Sequence, residues 1–165
     1  MGVVMERFHP EQVRKIWQRV QSGPAYEPAA APHRQAEVST NLGELIHRES
    51  LKKGMLLQLS RRFKGKDAII LRKLSQQAQS HQAILRGICT MTEGTPPSLP
   101  TPKPFNIPTR VLLQRCYGQT LQSLSEYEQR ESEPQFGSTF HKMALQQQEH
   151  CRILLALLGS ISSKK

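Results

Sequence analysis

At 165 residues the chain is long enough for one domain with a sizeable buried core. Lys and Arg total 23 against 13 Asp and Glu, a formal net charge of +10 that favours anionic partners or surfaces. An aromatic fraction of 5% argues against a β-rich protein. No apolar run reaches the length of a membrane span, and the N-terminal ten residues carry no secretory apolar core, so a cytoplasmic protein that does not enter membranes is expected.

Residues 9 to 21, HPEQVRKIWQRVQ, predict a short helix with Pro10 at its first position. Val13, Ile16, Trp17 and Val20 form one apolar stripe, suited to docking on the main body or to binding a protein partner. Residues 22 to 38 hold three prolines among small residues and read as a linker. Residues 1 to 38 are therefore expected to form an amphipathic helix plus linker. A bundle should follow over 39 to 161, with a basic tail at 162 to 165.

A long helix is predicted over 39 to 63, capped by Ser39, Thr40 or Asn41, with Asn41 and Glu44 at capping-box spacing. Its apolar face runs through Leu45, Leu56, Leu59 and Phe63. Glu49 and Lys52 fall on that same face, a break in binary pattern expected at functional sites or at satisfied ion pairs. After the turn at Gly65 a second helix is predicted over 67 to 91, capped by Asp67. Its stripe is Ile70, Leu74, Ala78, His81, Leu85 and Ile88. The short connection makes these helices antiparallel neighbours. Residues 92 to 109 hold six prolines, which excludes helix and central strand and predicts a crossover along the bundle. A third helix is predicted over 109 to 131, with Leu113, Cys116, Thr120, Leu124 and Tyr127 inward. A fourth is predicted over 134 to 159, with Phe136, Phe140, Met143, Gln147, His150, Leu154 and Leu157 inward and Gly159 at its end.

The second and fourth helices repeat one another. At an offset of 69 residues, the separation of His81 and His150, Gln77 meets Gln146, Gln79 meets Gln148, Ile84 meets Ile153 and Leu85 meets Leu154. In the first and third helices, Glu49 lies seven residues before Leu56, and Thr120 seven before Tyr127. Two helix pairs joined by a long crossover make an all-α four-helix bundle in which these positions converge on one level.

With LRKLSQQAQSHQAILRGI in its second helix and ALQQQEHCRILLALLG in its fourth, the chain resembles the ferritin-like superfamily, nearest to the rubrerythrin-like proteins of bacteria, over about residues 40 to 159. That resemblance implies a ferritin-like fold and a di-iron core with one Glu from each of two helices and Glu-x-x-His from each of the others. Hard carboxylates bridge and neutralise the cations, and imidazoles fill the open positions. His81 and His150 match the family histidines, and Glu49, or Glu44 in another register, matches the lone Glu of the first helix. Ala78, Gln147 and Thr120 stand where the other carboxylates would be. One carboxylate does not balance two iron ions in a dry core.

Two readings of Glu49, His81 and His150 stay open: a single iron or zinc ion held by two imidazoles and a carboxylate, or a metal-free relic with Glu49 paired to Lys52 or a histidine. In the relic, Lys52 supplies the positive charge that metals once supplied, and Gln77, Gln79, Gln146, Gln147 and Gln148 keep hydrogen-bonding capacity without charge. Glu149 and Cys151 adjoin His150 but point to other faces. Cys89, Cys116 and Cys151 form no CxxC pair and read as buried reduced thiols.

The expected function is that of a structural or interaction protein without a cofactor, with weak single-metal binding at most and self-association as one route. The enzyme alternative is a di-iron peroxide reductase or ferroxidase. The third is nucleic-acid binding through Arg61, Arg62, Lys64, Lys66, Arg72 and Lys73 at the first turn. No base-reading motif accompanies that cluster, so a solvated basic face is preferred.

Overall fold

The structure, a computed structural model, describes Glu11, Arg14 and residues 41 to 163. The chain divides into two units, Met1–Ser39 and Thr40–Lys165. In the first, Glu11 and Arg14 are helical; the expected stripe of Val13, Ile16, Trp17 and Val20, and the linker, lie outside the described residues. So does the end of the basic tail.

The second unit holds four α-helices: α1 (Leu42–Arg62), α2 (Gly65–Glu93), α3 (Thr109–Gln129) and α4 (Gly137–Ser163), with a short 3-10 turn, Arg130–Ser132, before α4. No strand occurs among the described residues. Asn41 starts α1, its side chain accepting the Glu44 N–H at 2.8 Å, which satisfies one of the free donors of the first turn. Helix α2 begins at Gly65, two residues ahead of the expected Asp67 cap. Gly65 takes the turn at φ +61°, where a side chain would be strained.

α1 packs on α2 and α3 packs on α4, with a further interface between α1 and α3. Arg48 near the start of α1 pairs with Glu126 near the end of α3, so these two run antiparallel. The proline-rich segment explains how. It passes along α1 from beginning to end. Pro97 lies beside Gly43 and accepts a hydrogen bond from Arg86, and Phe105 lies beside Gly54. Gln58 exchanges two hydrogen bonds with the Phe105 backbone, and Arg62 donates to the carbonyls of Phe105 and Ile107. The prolines supply no N–H groups to these exchanges and keep the segment extended, so side chains of α1 hold it in place.

Three further details depart from the sequence reading. Leu71, not Ile70, faces the core, and Ile70 is exposed. The fourth helix starts at Gly137 rather than at Pro134: Gly137 is buried with its Cα against the Glu131 carbonyl, and a Cβ there would stand 2.3 Å from that oxygen. Gly159 does not end α4, which continues to Ser163.

The repeat is written into the core. Buried Ala68, Leu71, Leu74, Ser75, Ala78, His81, Leu85 and Ile88 of α2 recur, 69 residues later, as buried Gly137, Phe140, Met143, Ala144, Gln147, His150, Leu154 and Leu157 of α4. In α1, buried Leu42, Leu45, Ile46, Glu49, Lys52 and Leu56 recur, at the Glu49-to-Thr120 offset, as buried Leu113, Cys116, Tyr117, Thr120, Ser123 and Tyr127 of α3. The two helix pairs thus carry one burial pattern twice and meet mainly through the interface between α1 and α3.

Candidate functional site: a buried polar layer

Where the four helices meet, Glu49, Lys52, Thr120, Ser123, His81, Gln147 and His150 are all fully buried. Buried polar groups are costly unless hydrogen-bonded, so the partner of each one matters.

Lys52 Nζ donates to both Glu49 oxygens, at 3.1 Å and 3.3 Å, and to Gln147 Oε1 at 2.6 Å. These three bonds use every donor of an ammonium. Tyr127 Oη donates to Glu49 Oε1 at 2.8 Å. The amide nitrogen of Gln147 then faces His81 Nδ1 at 2.9 Å. Because Gln147 Oε1 accepts from Lys52, its Nε2 is the donor to His81, and His81 Nδ1 is the acceptor. His81 Nε2–H is left to donate to Gln146 Oε1. At 3.7 Å, His81 Nδ1 lies beyond hydrogen-bond range of Glu49 Oε2. In the reciprocal contact, His150 Nε2–H donates to Gln77 Oε1 at 2.7 Å. Each histidine thus bonds the glutamine one turn before the other histidine, in a crossed exchange. The two imidazoles lie stacked with centroids 6.0 Å apart, and Tyr127 stands edge-on to His81.

Electrostatics follow from this geometry. Burial raises the Glu49 carboxyl, but the Lys52 ammonium, helped by the Tyr127 hydroxyl, outweighs it and holds it at about 2. Burial, then the charge on Lys52, push His150 down to about 3 against the opposing pull of Glu49. His150 is therefore neutral. Burial and the adjacent Glu49 carboxylate hold the Tyr127 hydroxyl well above its ordinary range, so it remains a donor. Cys116 and Cys151, buried beside this layer, are pushed up to about 12 chiefly by desolvation, which keeps both thiols protonated and unreactive.

Among the residues expected at the site, Glu49, Lys52, His81 and Gln147 come together directly, and His150 stacks on His81. Thr120 is buried in the same layer and donates to the Cys116 carbonyl at 2.7 Å. Ala78 is buried and apolar. Glu44 is exposed in the first turn of α1, away from this group. Four contributors were not named as site residues by the sequence reading. Tyr127 was seen only as a core aromatic, and Ser123 was not singled out. Gln77 and Gln146 were noted as repeat partners and as uncharged hydrogen-bonding residues, without their crossed roles. Outside the layer, His47 is exposed and His141 pairs with Glu131 at the surface, while His9 and His33 lie outside the described residues.

Comparison with protein-family models, with curated proteins and with solved structures finds no match. Among the described residues, no group of three or more His, Cys, Asp or Glu side chains is arranged to hold a metal ion. The donor chemistry gives the reason. The Glu49 carboxylate is taken by an ammonium and a phenol, and the lone pair of His81 Nδ1 by an amide. A pair of iron ions does not fit this set, because Ala78, Thr120 and Gln147 offer no negative charge and Lys52 already neutralises Glu49. Of the three residues expected to hold a single iron or zinc ion, Glu49 and His81 are bonded to other partners, and His150 Nδ1 has no hydrogen-bond partner. No helix among the described residues is long and apolar enough to cross a membrane.

Proposed function

We propose that the chain is a ferritin-like bundle, nearest in kind to the rubrerythrin-like proteins, that works as a structural or interaction protein without a di-iron centre. The observation that carries this reading is the position of Lys52 Nζ, bonded at once to Glu49 of α1 and Gln147 of α4. A cation built into the chain bonds Glu49 and Gln147, two positions that the resemblance assigns to metal-binding carboxylates. The crossed histidine–glutamine bonds are the second support. They give His81 and His150 a structural role, joining α2 to α4 through side chains that carry no net charge. The test is anaerobic loading with ferrous iron, followed by desalting, elemental analysis and exposure to oxygen or peroxide. The reading expects no retained iron and no peroxide consumption. Stoichiometric iron with an oxygen-dependent absorption band would sink it in favour of a di-iron oxidoreductase.

A second reading concerns the outer surface. Arg61, Lys64, Lys66, Arg72 and Lys73 are exposed at the α1–α2 turn, and Arg61 and Arg72 border a cleft of about 470 Å³ with Leu57, Ser60 and Phe63. Arg62 is occupied with the crossover. This end offers a contact surface for an anionic partner. Retention on duplex DNA that vanishes between low and moderate salt would mark that partner as nucleic acid; retention on an acidic protein matrix alone would not.

A further inference from the structure

Over residues 99 to 104 of the crossover, every residue is a proline or stands directly before one. The proline ring fixes φ at about −65°, and its Cδ pushes the preceding residue into extended geometry. The six residues are therefore held in the polyproline II region, a helix with three residues per turn. The structure agrees. No helix, turn or bend interrupts residues 96 to 106, and Pro108, which ends the crossover, stands at φ −58° and ψ 150°.

Burial along the segment follows that period. Pro96, Leu99 and Phe105 are half-buried and share one edge of a three-residue helix, so that edge faces the bundle. Phe105 lies beside Gly54 of α1, and Pro97 beside Gly43. The two remaining edges present Pro100 with Lys103, and Ser98 with Thr101 and Pro104, all exposed. Pro102 is exposed as well.

The two ends of this run are anchored, and its middle is unused. Arg86 donates to the Pro97 carbonyl, and Gln58 and Arg62 bond the Phe105 backbone. Between those anchors, residues 98 to 104 make no hydrogen bond or ion pair with the described residues. Their carbonyls are open to a donor from outside, and Lys103 is a cation with no carboxylate. Docking of an extended chain onto a sheet edge uses backbone N–H groups, which Pro100, Pro102 and Pro104 lack. A polyproline II segment is read instead by grooves lined with aromatic rings, which take up proline rings. A segment already fixed in its bound shape loses little freedom on association.

We infer that residues 98 to 104 are a docking site for a protein domain with an aromatic-lined, proline-reading groove, which takes Pro100 and Pro104 and places a carboxylate against Lys103. The segment lies outside both the polar layer and the basic turn, so the outcome here is independent of whether the bundle holds iron or binds a polyanion.

The test uses the full chain labelled with ¹⁵N. Amide hydrogen exchange at Thr101 and Lys103 should run at the rate of an unprotected peptide; protection there means that the segment is covered and overturns the inference. Three unlabelled probes, an SH3 domain, a WW domain and an EVH1 domain, are then titrated in separately. At least one should shift the amides of Ser98, Leu99, Thr101 and Lys103 and leave those of α2 and α4 in place. The double substitution Pro100→Ala/Pro104→Ala should weaken that probe about tenfold or more. Lys103→Glu changes an exposed side chain without a partner, so it leaves the urea midpoint where it was and should still weaken binding. Failure of all three probes to shift the segment, or a probe bound equally well by wild type and both variants, overturns the inference.

Discussion

Lys52→Met keeps most of the apolar stem at position 52 and removes the ammonium. Glu49 would then stay buried with the Tyr127 hydroxyl as its remaining hydrogen-bond donor, and Gln147 Oε1 would lose its only donor. Removing one partner of a buried pair costs about 3–5 kcal/mol, because the other charge is left uncompensated. The carboxyl gives a second route to the magnitude. Held at about 2 instead of 4.5, Glu49 contributes roughly 3 kcal/mol at neutral pH. Its folded value is depressed, so that contribution is present above pH 4.5 and is lost as pH falls toward 2. In Lys52→Met the sign reverses. Burial is no longer outweighed, the folded value rises above 4.5, and the fold favours the protonated acid. The deficit of the variant is therefore largest near pH 7 and shrinks as acid protonates Glu49. Urea unfolding followed by circular dichroism at pH 7 and pH 5 measures it, with Glu49→Leu/Lys52→Met as the paired control. Replacing both partners should return stability to within about 1 kcal/mol of wild type, or above it, since apolar replacement of a buried pair is often neutral or stabilising. A single variant that loses less than about 1 kcal/mol at pH 7, or a double variant no better than the single, would refute the claim that Lys52 is there to neutralise Glu49.

His150 sets a second pH dependence. Its folded value of about 3 against 6.5 means that stability is present above pH 6.5 and is lost as pH falls toward 3, so wild type should lose about 3 kcal/mol between pH 7 and 4.5; His150→Gln should flatten that slope in urea titrations at stepped pH. Gly137→Ala drives a Cβ into the Glu131 carbonyl and should cost about 1–3 kcal/mol, read as a lowered urea midpoint at unchanged m-value. Gln58→Ala removes both hydrogen bonds to the Phe105 backbone and should lower stability by about 1–2 kcal/mol, with faster chymotryptic cleavage after Phe105 than in wild type.

How much of this was readable from residues depends on which physical signal each feature leaves. Helix number, the two short connections and the crossover follow from apolar periodicity and proline placement, and those are local properties. The substitution of Leu71 for Ile70 at the core face was not legible, because two adjacent aliphatic residues fit the stripe about equally. The start of α4 was misplaced because Pro134 is a strong helix opener, whereas the need for glycine at 137 arises from contact with the 3-10 turn, which no local pattern reveals. At the site, Glu49 and Lys52 were visible as charges on an apolar face. The crossed His–Gln exchange was not, because it joins α2 to α4. Its trace was the repeat of uncharged glutamines beside the histidines, Gln77 matching Gln146, which does not say what each one bonds. Ser123 carried a trace as well, since it lies as far after Thr120 as Lys52 lies after Glu49, but a buried serine in a helix is too ordinary to stand out without its orphaned hydroxyl.

The distribution of charge across the layer bears on what its polar side chains are for. A site that captures cations needs an excess of carboxylate over built-in positive charge. Here each half is balanced by itself. One half carries Glu49 with Lys52, and the other replaces both by the neutral pair Thr120 and Ser123. Had only one member of the pair been exchanged, a lone buried charge would remain, at a cost of several kcal/mol. The acid and the base therefore differ between the halves together, while the histidine and the glutamine one turn before it are kept in both. What the two halves share is the crossed bonding that joins α2 to α4 at one level, and a one-turn slip of either helix would break both bonds at once. The layer specifies how the two helix pairs align, and the surplus positive charge at the α1–α2 turn lies outside it, on the exposed surface.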